Sequence, residues 1–326
     1  MNIRSPLFLL LFAIFLAAQG GGCFRFFPDS FVVIDGIPAF ALSKDRFVAL
    51  GVPSGVEIVA HDRFTGVSVF EKKASRPFYL MPPNPPLYYC PSSPAMPVTI
   101  ASLPVSIYPG RLKERVEAKG ALFGECCKFA ALVDRGGFWF GAKSIKKVMR
   151  RDLHHGDIGA RFEMAKNRIV VKASDPFVQN GLQSGDTLLE ARNLKNPSLY
   201  HVRKMIDECK NGRTVDLRIL RKDKKIAIKP VCFERVGGGK VSDTFLEHFG
   251  LSFDKRLHIE TIDRTKEGYK KGLRRFDHLL AIDGVLVGDE ADVQRILNRC
   301  NTKKQLPARM LWERSGFQFF LLPYSI

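Results

Sequence analysis

The feature that most constrains this chain is an internal repeat. Asp157-Ile158-Gly159-Ala160-Arg161-Phe162 recurs as His248-Phe249-Gly250-Leu251-Ser252-Phe253, 91 positions later. The offset holds without drift from Gly181-Leu182 to Gly272-Leu273, Asp186 to Asp277, Leu188-Leu189 to Leu279-Leu280, Val202 to Val293 and Cys209 to Cys300. Sustained self-similarity of this kind means that the C-terminal half is two copies of one module.

Each copy reads as short strands, a small helix, more strands, a longer helix and a closing hairpin. In the first copy, strands are expected at 159–164, 168–173, 187–191, 214–220 and 225–231, with a helix over 198–209. Pro197 stands at its start, and Leu199, Val202, Met205 and Ile206 follow at helical spacing. The second copy repeats this with strands at 257–261 and 278–282, a helix over 290–300, and a hairpin of 308–312 with 317–322 across Ser315-Gly316. Phe276 replaces Gly185 before the shared aspartate, so the turn there is expected to be rebuilt.

These residues resemble the PDZ domain. Phe249-Gly250-Leu251-Ser252-Phe253 is similar to its carboxylate-binding loop and second strand, Asp277 to Gly284 to its fourth strand, and Val293 to Leu297 to its groove helix. The resemblance implies two modules, 151–236 and 237–326, that bind protein C-termini or extended peptides. The physics agrees. A glycine at the rim permits the positive φ that aims successive amides at a carboxylate. An edge strand beyond it can accept a peptide as an added strand. Ladder bonds net about 0.5–1.5 kcal/mol each, so a few of them plus one buried side chain suggest micromolar affinity, about −8 kcal/mol.

The expected binding residues are Ile158, Gly159, Ala160, Phe162, Val202 and Ile206 in the first copy. In the second they are Phe249, Gly250, Leu251, Ser252, Phe253, Val293 and Leu297, with Ile296 in place of Leu297 if the helix register slips by one. The competing reading of Phe162, Phe253, Val202 and Val293 is core. Arg161 occupies a position where an apolar pocket residue is common in the family, which marks that groove as modified or unused.

The N-terminus reads as a signal peptide over residues 1–22: Arg4, an apolar run from Leu7 to Leu16, then small residues up to Cys23. A dozen apolar residues rise only about 18 Å as a helix, short of the roughly 30 Å hydrocarbon layer. Export to the periplasm or cell envelope is expected, with Cys23 the candidate lipidation site. Six further cysteines, Cys90, Cys126, Cys127, Cys209, Cys232 and Cys300, then invite disulfides of unspecified connectivity. Cys209 and Cys300, at equivalent helix ends, read as a small apolar core residue used twice.

Residues 24–150 read as a small β-rich, barrel-like domain, with strands at 31–35, 37–42, 47–50, 56–61 and 67–71. Nine prolines between Pro82 and Pro109 argue for an extended connection there rather than sheet. Val59-Ala60-His61-Asp62 through Val69, and Gly137-Phe138-Trp139-Phe140 onward, resemble segments of the HtrA-type periplasmic proteases, which are trypsin-like barrels followed by PDZ domains. The catalytic pattern is not met: no histidine occurs between Cys23 and Ala60, where that family's base lies. A Cys126 nucleophile with His61 as base is the alternative. His154-His155 reads as a solvated linker pair. The formal charge of +18 divides into +8 for residues 1–150 and +10 for the rest. An even spread lacks the patch that nucleic acid needs and leaves membrane contact to the N-terminal anchor or the basic surface. No metal spacing, phosphate loop or G-x-S-x-G occurs, so no cofactor is expected. The fold class is mainly β with α+β modules. The favoured function is a non-catalytic scaffold, against an HtrA-type protease or chaperone, or a secretion-apparatus component. The C-terminal Tyr324-Ser325-Ile326 is a minor candidate for occupying a neighbouring groove.

Overall fold

The computed structural model describes residues 28–90, 95–303, 306–307 and 309–321. The expected signal peptide, Cys23 and Tyr324-Ser325-Ile326 lie outside them. Strands dominate, and the chain divides into two compact units, Met1–Leu153 and His154–Ile326.

The first unit holds a five-stranded sheet of β1 (Phe31–Ile34), β2 (Ile37–Ala41), β3 (Arg46–Leu50), β4 (Ile58–Asp62) and β5 (Val67–Glu71), in the order β1-β2-β3-β5-β4. Alternation explains its barrel-like curl. Ala39, Ala41, Ala49, Phe47 and Phe70 fill one face, while Phe40, Val48, Leu50, Val67 and Val69 line the other. Small alanines let the inner face close on two aromatic rings. On the outer side Phe40, Phe78, Phe123 and Phe129 stack at 5.0–6.4 Å, mostly tilted or edge to face.

A second sheet was not legible in the sequence. It contains β6 (Leu87–Cys90), β7 (Met96–Val98), β8 (Ile100–Ser102), β9 (Gly110–Leu112), β10 (Gly120–Phe123), β11 (Phe129–Val133) and β12 (Phe138–Gly141), in the order β7-β6-β10-β11-β12-β9-β8. The proline-rich stretch is therefore not a strandless connection. Its strands β7 and β8 lie at the two margins of the sheet, where a missing N–H can face away from the ladder, and Pro97 sits within β7 opposite Tyr88. Helix α1 (Ala142–Met149) buries Ile145 and Val148 in the aromatic core.

The second unit contains both modules. The first comprises β13 (Gly156–Asp157), β14 (Ala160–Ala165), β15 (Arg168–Ser174), β16 (Thr187–Ala191), β17 (Leu194–Lys195), α2 (Leu199–Asp207), β18 (Leu217–Arg221), β19 (Lys224–Ile228) and β20 (Phe233–Glu234). The second comprises β21 (Leu251–Phe253), β22 (Ile259–Ile262), α3 (Glu267–Lys270), β23 (His278–Ile282), β24 (Val285–Leu286), α4 (Glu290–Lys303), β25 (Met310–Arg314) and β26 (Phe317–Leu321). The small helix appears only in the second. Where the first would have it, turns carry Asn180, whose side chain bonds the backbone of residues 158 and 159.

One polar clamp recurs in both copies. Asp186, buried, accepts two bonds from Arg221 (2.7 and 2.6 Å), and Arg221 also donates to the Gly181 carbonyl at 2.7 Å. Asp277, Arg314 and Gly272 repeat this at 2.6, 2.7 and 2.7 Å. The aspartates obey the 91-residue offset. The arginines stand at 93, because two extra residues lie between the start of α4 and the closing hairpin, and that hid them from a fixed-offset comparison.

Two expectations need correction. Cys209 is not a repeated packing residue: it forms a disulfide with Cys232, Cα–Cα 6.1 Å, closing 23 residues and tying the end of α2 to the strand region beyond β19. A loop of that size is worth about 3 kcal/mol in the chain-entropy account. The turn at Phe276 is not rebuilt either. Phe276 holds φ +73° where Gly185 holds +87°, with its ring 67% exposed under Arg275. The neighbouring clamp on Asp277 keeps the turn in place, and the bulky residue bears the strain. Phe276→Gly is therefore expected to stabilise the second unit by about 1 kcal/mol, and Gly185→Ala to destabilise it by a similar amount. Urea midpoints that move in those opposite senses at constant m would verify this.

Candidate functional site

The candidate site in each module is the strip between the strand that follows the glycine rim, β14 or β21, and the long helix, α2 or α4. In the first module Ile158, Ala160, Phe162, Val202 and Ile206 converge in one cluster with Leu182, Leu188 and Leu217. Ile158 and Val202 are fully buried, so the side chains expected to line a cleft pack on one another. Gly159, at φ +69°, turns the chain into β14. β14 ends its sheet and is paired only with β15.

The rim amides in this module already have an acceptor. The Ile158 and Gly159 N–H groups both donate to Asp157 Oδ1, at 2.7 and 2.9 Å. Asn180 Nδ2 donates to the Ile158 and Gly159 carbonyls at 3.0 and 2.7 Å, holding the loop from the other side. Arg161 Nη1 lies 3.0 and 2.9 Å from the two Asp157 oxygens, and Arg235 Nη1 lies 3.6 Å from one of them. Burial alone would raise the Asp157 pKa. Arg161, Arg235 and the Gly159 amide outweigh it, holding the carboxyl below its ordinary range and ionised.

In the second module Leu251, Phe253, Val293, Ile296 and Leu297 share one core, so both candidate helix registers are buried. Phe249 and Ser252 are half-buried, and Gly250 takes φ +80°. A Cβ on Gly250 would lie 2.5 Å from Lys266 Cβ, so glycine is required there for space as well. β21 pairs only with β22. Its other margin is approached by the chain itself. The Phe253 N–H donates to Ser242 Oγ at 3.0 Å, the Gln294 side chain donates to the Asp243 carbonyl, and the Asp243 amide bonds the Glu290 carboxylate. Residues 242–243 thus reach from the margin of β21 to the first turns of α4.

The two modules meet at these rims. Arg161 Nε and Nη2 bond both Asp243 oxygens at 2.5 and 2.6 Å, and its guanidinium lies 5.1 Å from the Phe245 ring centre. His248 Nε2 is 2.6 Å from Asp175 Oδ2, Phe177 meets Phe249 edge to face at 5.0 Å, and Asn298 Oδ1 accepts from the Ser174 amide. Beside them Glu247, buried, accepts from the Ser242 hydroxyl and from the Thr244 amide and hydroxyl. Sequence reasoning singled out neither Asp243, Glu247 nor Asn180: Asp243 acts on the other copy and Asn180 on a rim far from it in sequence, while Glu247 fastens its own 242–244 loop, whose place at the junction no local pattern marks.

His154-His155 is not a solvated pair. His155 is buried with Nδ1 2.6 Å from Asp207 Oδ1, and His154 Nε2 contacts the Cys209 carbonyl at 3.0 Å, so both fasten the end of α2. In the first unit Cys126 is an exposed thiol at φ +54°, and its neighbour Cys127 is in a disulfide. His61 engages the Ser68 hydroxyl at 2.9 Å within its own β4–β5 hairpin, where burial, against Asp62, lowers its pKa. No hydrogen bond joins it to Cys126. Among the described residues no group of His, Cys, Asp or Glu is arranged to hold a metal ion, and no helix is long and apolar enough to cross a membrane.

Residues 156–229 match the family model for the PDZ domain, so the first module is a PDZ domain. Similar solved structures include a serine endoprotease from Yersinia pestis, 17% identical, covering 65% of this chain and 97% of that one at a TM-score of 0.48. The HtrA-type protease AlgW with a tripeptide is 14% identical, over 61% and 89% of the two chains, at 0.48. The same protease with a decapeptide is 12% identical, over 61% and 82%, at 0.46. No curated protein matches the chain.

The junction makes stability depend on pH. Burial pushes the Glu247 carboxyl up to about 7, despite bonds from Ser242 and Thr244 and with a smaller push from Asp243. Burial would lower His248, but the Asp175 bond and charge, with Asp157 and Glu247, raise it. Both folded values lie above the unfolded ones, 4.5 for Glu247 and 6.5 for His248, so each contribution is fully present below its unfolded value and is lost as pH rises through the folded one. In a Trp139→Phe background, where buried Trp312 reports on the second unit, the melting temperature is expected to fall by roughly 5 °C from pH 5.5 to 8. Glu247→Gln should remove much of that slope.

Proposed function

We propose that this protein is an exported, non-catalytic scaffold of the bacterial envelope, with 237–326 a second PDZ module, that binds extended peptide segments by strand addition. The observation that carries it is β14: a sheet-ending strand that follows a glycine rim, lies beside helix α2, and falls within the segment matched to the PDZ family. Main-chain pairing along such a margin supplies affinity without demanding one sequence. At the first module, Asp157 already satisfies the Ile158 and Gly159 amides, so a peptide carboxylate reaches that rim by displacing it, while an internal extended segment can pair with the strand margin alone. The Cys209–Cys232 disulfide supports an oxidising compartment and hence export.

The absence of catalysis is part of the proposal, supported by the engagement of His61 with Ser68 rather than with Cys126. The alternative, a divergent HtrA-type protease, draws on the exposed thiol of Cys126 in a left-handed loop. Incubation with unfolded casein separates the two. The scaffold reading expects intact casein, whereas cleavage that disappears in Cys126→Ala would replace it with the protease. Binding is tested by selecting from a random decapeptide library on the full chain. Retention of extended sequences with Kd on the order of micromolar is expected. Glu163→Pro, on the exposed part of β14, should weaken it about tenfold by disturbing the strand.

A further inference from the structure

We propose that both clefts are held shut by internal stand-ins for a ligand, and that Arg161 ties the two closures into one latch. This rests on the peptide-binding reading above and adds a regulation to it. At the first rim the stand-in is the Asp157 carboxylate, which receives the Ile158 and Gly159 amides as the terminal carboxylate of a bound peptide would. At the second it is the chain at Ser242-Asp243. The Ser242 hydroxyl receives the Phe253 amide of the margin strand, and the Asp243 backbone is bonded on the helix side by Gln294 and Glu290. A peptide adding along β21 needs that same amide and that same gap.

The coupling follows from one side chain. Arg161 is 7% exposed and divides its donors between Asp157, which holds the first rim, and Asp243, which plugs the second. The guanidinium is a planar fork that serves two carboxylates at once. If Asp243 swings out with its backbone to admit a strand, Arg161 loses half its partners. Its remaining hold on Asp157 must then readjust at the first rim, and the reverse holds when Asp157 is displaced. A ligand entering either cleft therefore loosens the other, which is positive coupling through a shared closed state. The ligand suited to breaking the latch is an extended peptide that brings its own carboxylate, from an acidic side chain or a free C-terminus, to replace Asp157 or Asp243 against Arg161.

Asp243→Asn, made in the full chain, tests this, because it keeps the shape and the backbone bonds of residue 243 while removing its charge from Arg161. Amide hydrogen exchange resolved to the segments 158–162 and 250–253 is the first readout. Retention of a random decapeptide library with free C-terminal carboxylates is the second. The latch expects exchange about tenfold faster at both rims, although the change lies at only one, and about fivefold more peptide retained than by the unaltered protein. Faster exchange at 250–253 alone overturns the coupling. Unchanged exchange with equal retention by the two proteins overturns the latch and leaves strand addition standing. Retention by neither protein overturns the peptide-binding reading, and the latch with it. Should Asp243→Asn not fold, Ser242→Ala takes its place. It removes the acceptor of the Phe253 amide together with one donor to Glu247, and unchanged exchange at 250–253 in that variant also overturns the proposal.

Discussion

A guanidinium out of water must be matched on all sides, and Arg161 meets that demand by drawing together groups from both modules. Its partners are Asp157, four residues back on its own rim, and Asp243, 82 residues on. Leaving either carboxylate unmatched in so dry a place would cost several kcal/mol. The junction is therefore built around one charge-balanced cluster with Arg235 beside it, and the apolar contacts of Phe177, Phe249 and Phe245 gather about it. Buried ion pairs of this kind give a defined arrangement more surely than they give net stability. What they define here is the relative placement of two rims, and through it the state of both clefts.

The same economy of buried charge appears at the Asp186–Arg221 and Asp277–Arg314 clamps, where the duplication is most literal. Each aspartate is buried and each arginine closes a bidentate pair, then reaches a glycine carbonyl in the turn before it. The two copies are alike where the module needs its hairpin fastened to its turn. They differ where they face each other: Asp157 answers to His248, Arg161 to Ser252, and Asp175 to Lys266 in the 91-residue register.

Legibility in the sequence followed the range of the forces involved. The strands at 187–191 and 278–282 and the two long helices emerged with boundaries close to those observed, because alternation, helical spacing and Pro197-Ser198 at the start of α2 are local signals. The second sheet of the first unit stayed hidden. Its strands are three to five residues long, and several lie in proline-rich chain that local rules assign to loops. Cysteine roles were equally hidden: equivalence in the repeat paired Cys209 with Cys300 in function, whereas the fold brings Cys209 to Cys232. The arginines of the clamps escaped through a two-residue shift in the repeat.

The sequence alone carried the pattern of two small strand-and-helix modules in the C-terminal half, each with a glycine rim leading into a strand. Those properties are written in residue spacing, and spacing survives without knowledge of neighbours. Whether the rim amides and strand margins face solvent was decided only by tertiary structure. Hydrogen bonds and ion pairs are settled by proximity in space: Asp157 is a chain neighbour of the Ile158 and Gly159 amides it accepts, but Ser242 at the Phe253 amide and Asp243 on Arg161 reach those groups only through the fold, and no local pattern places them there.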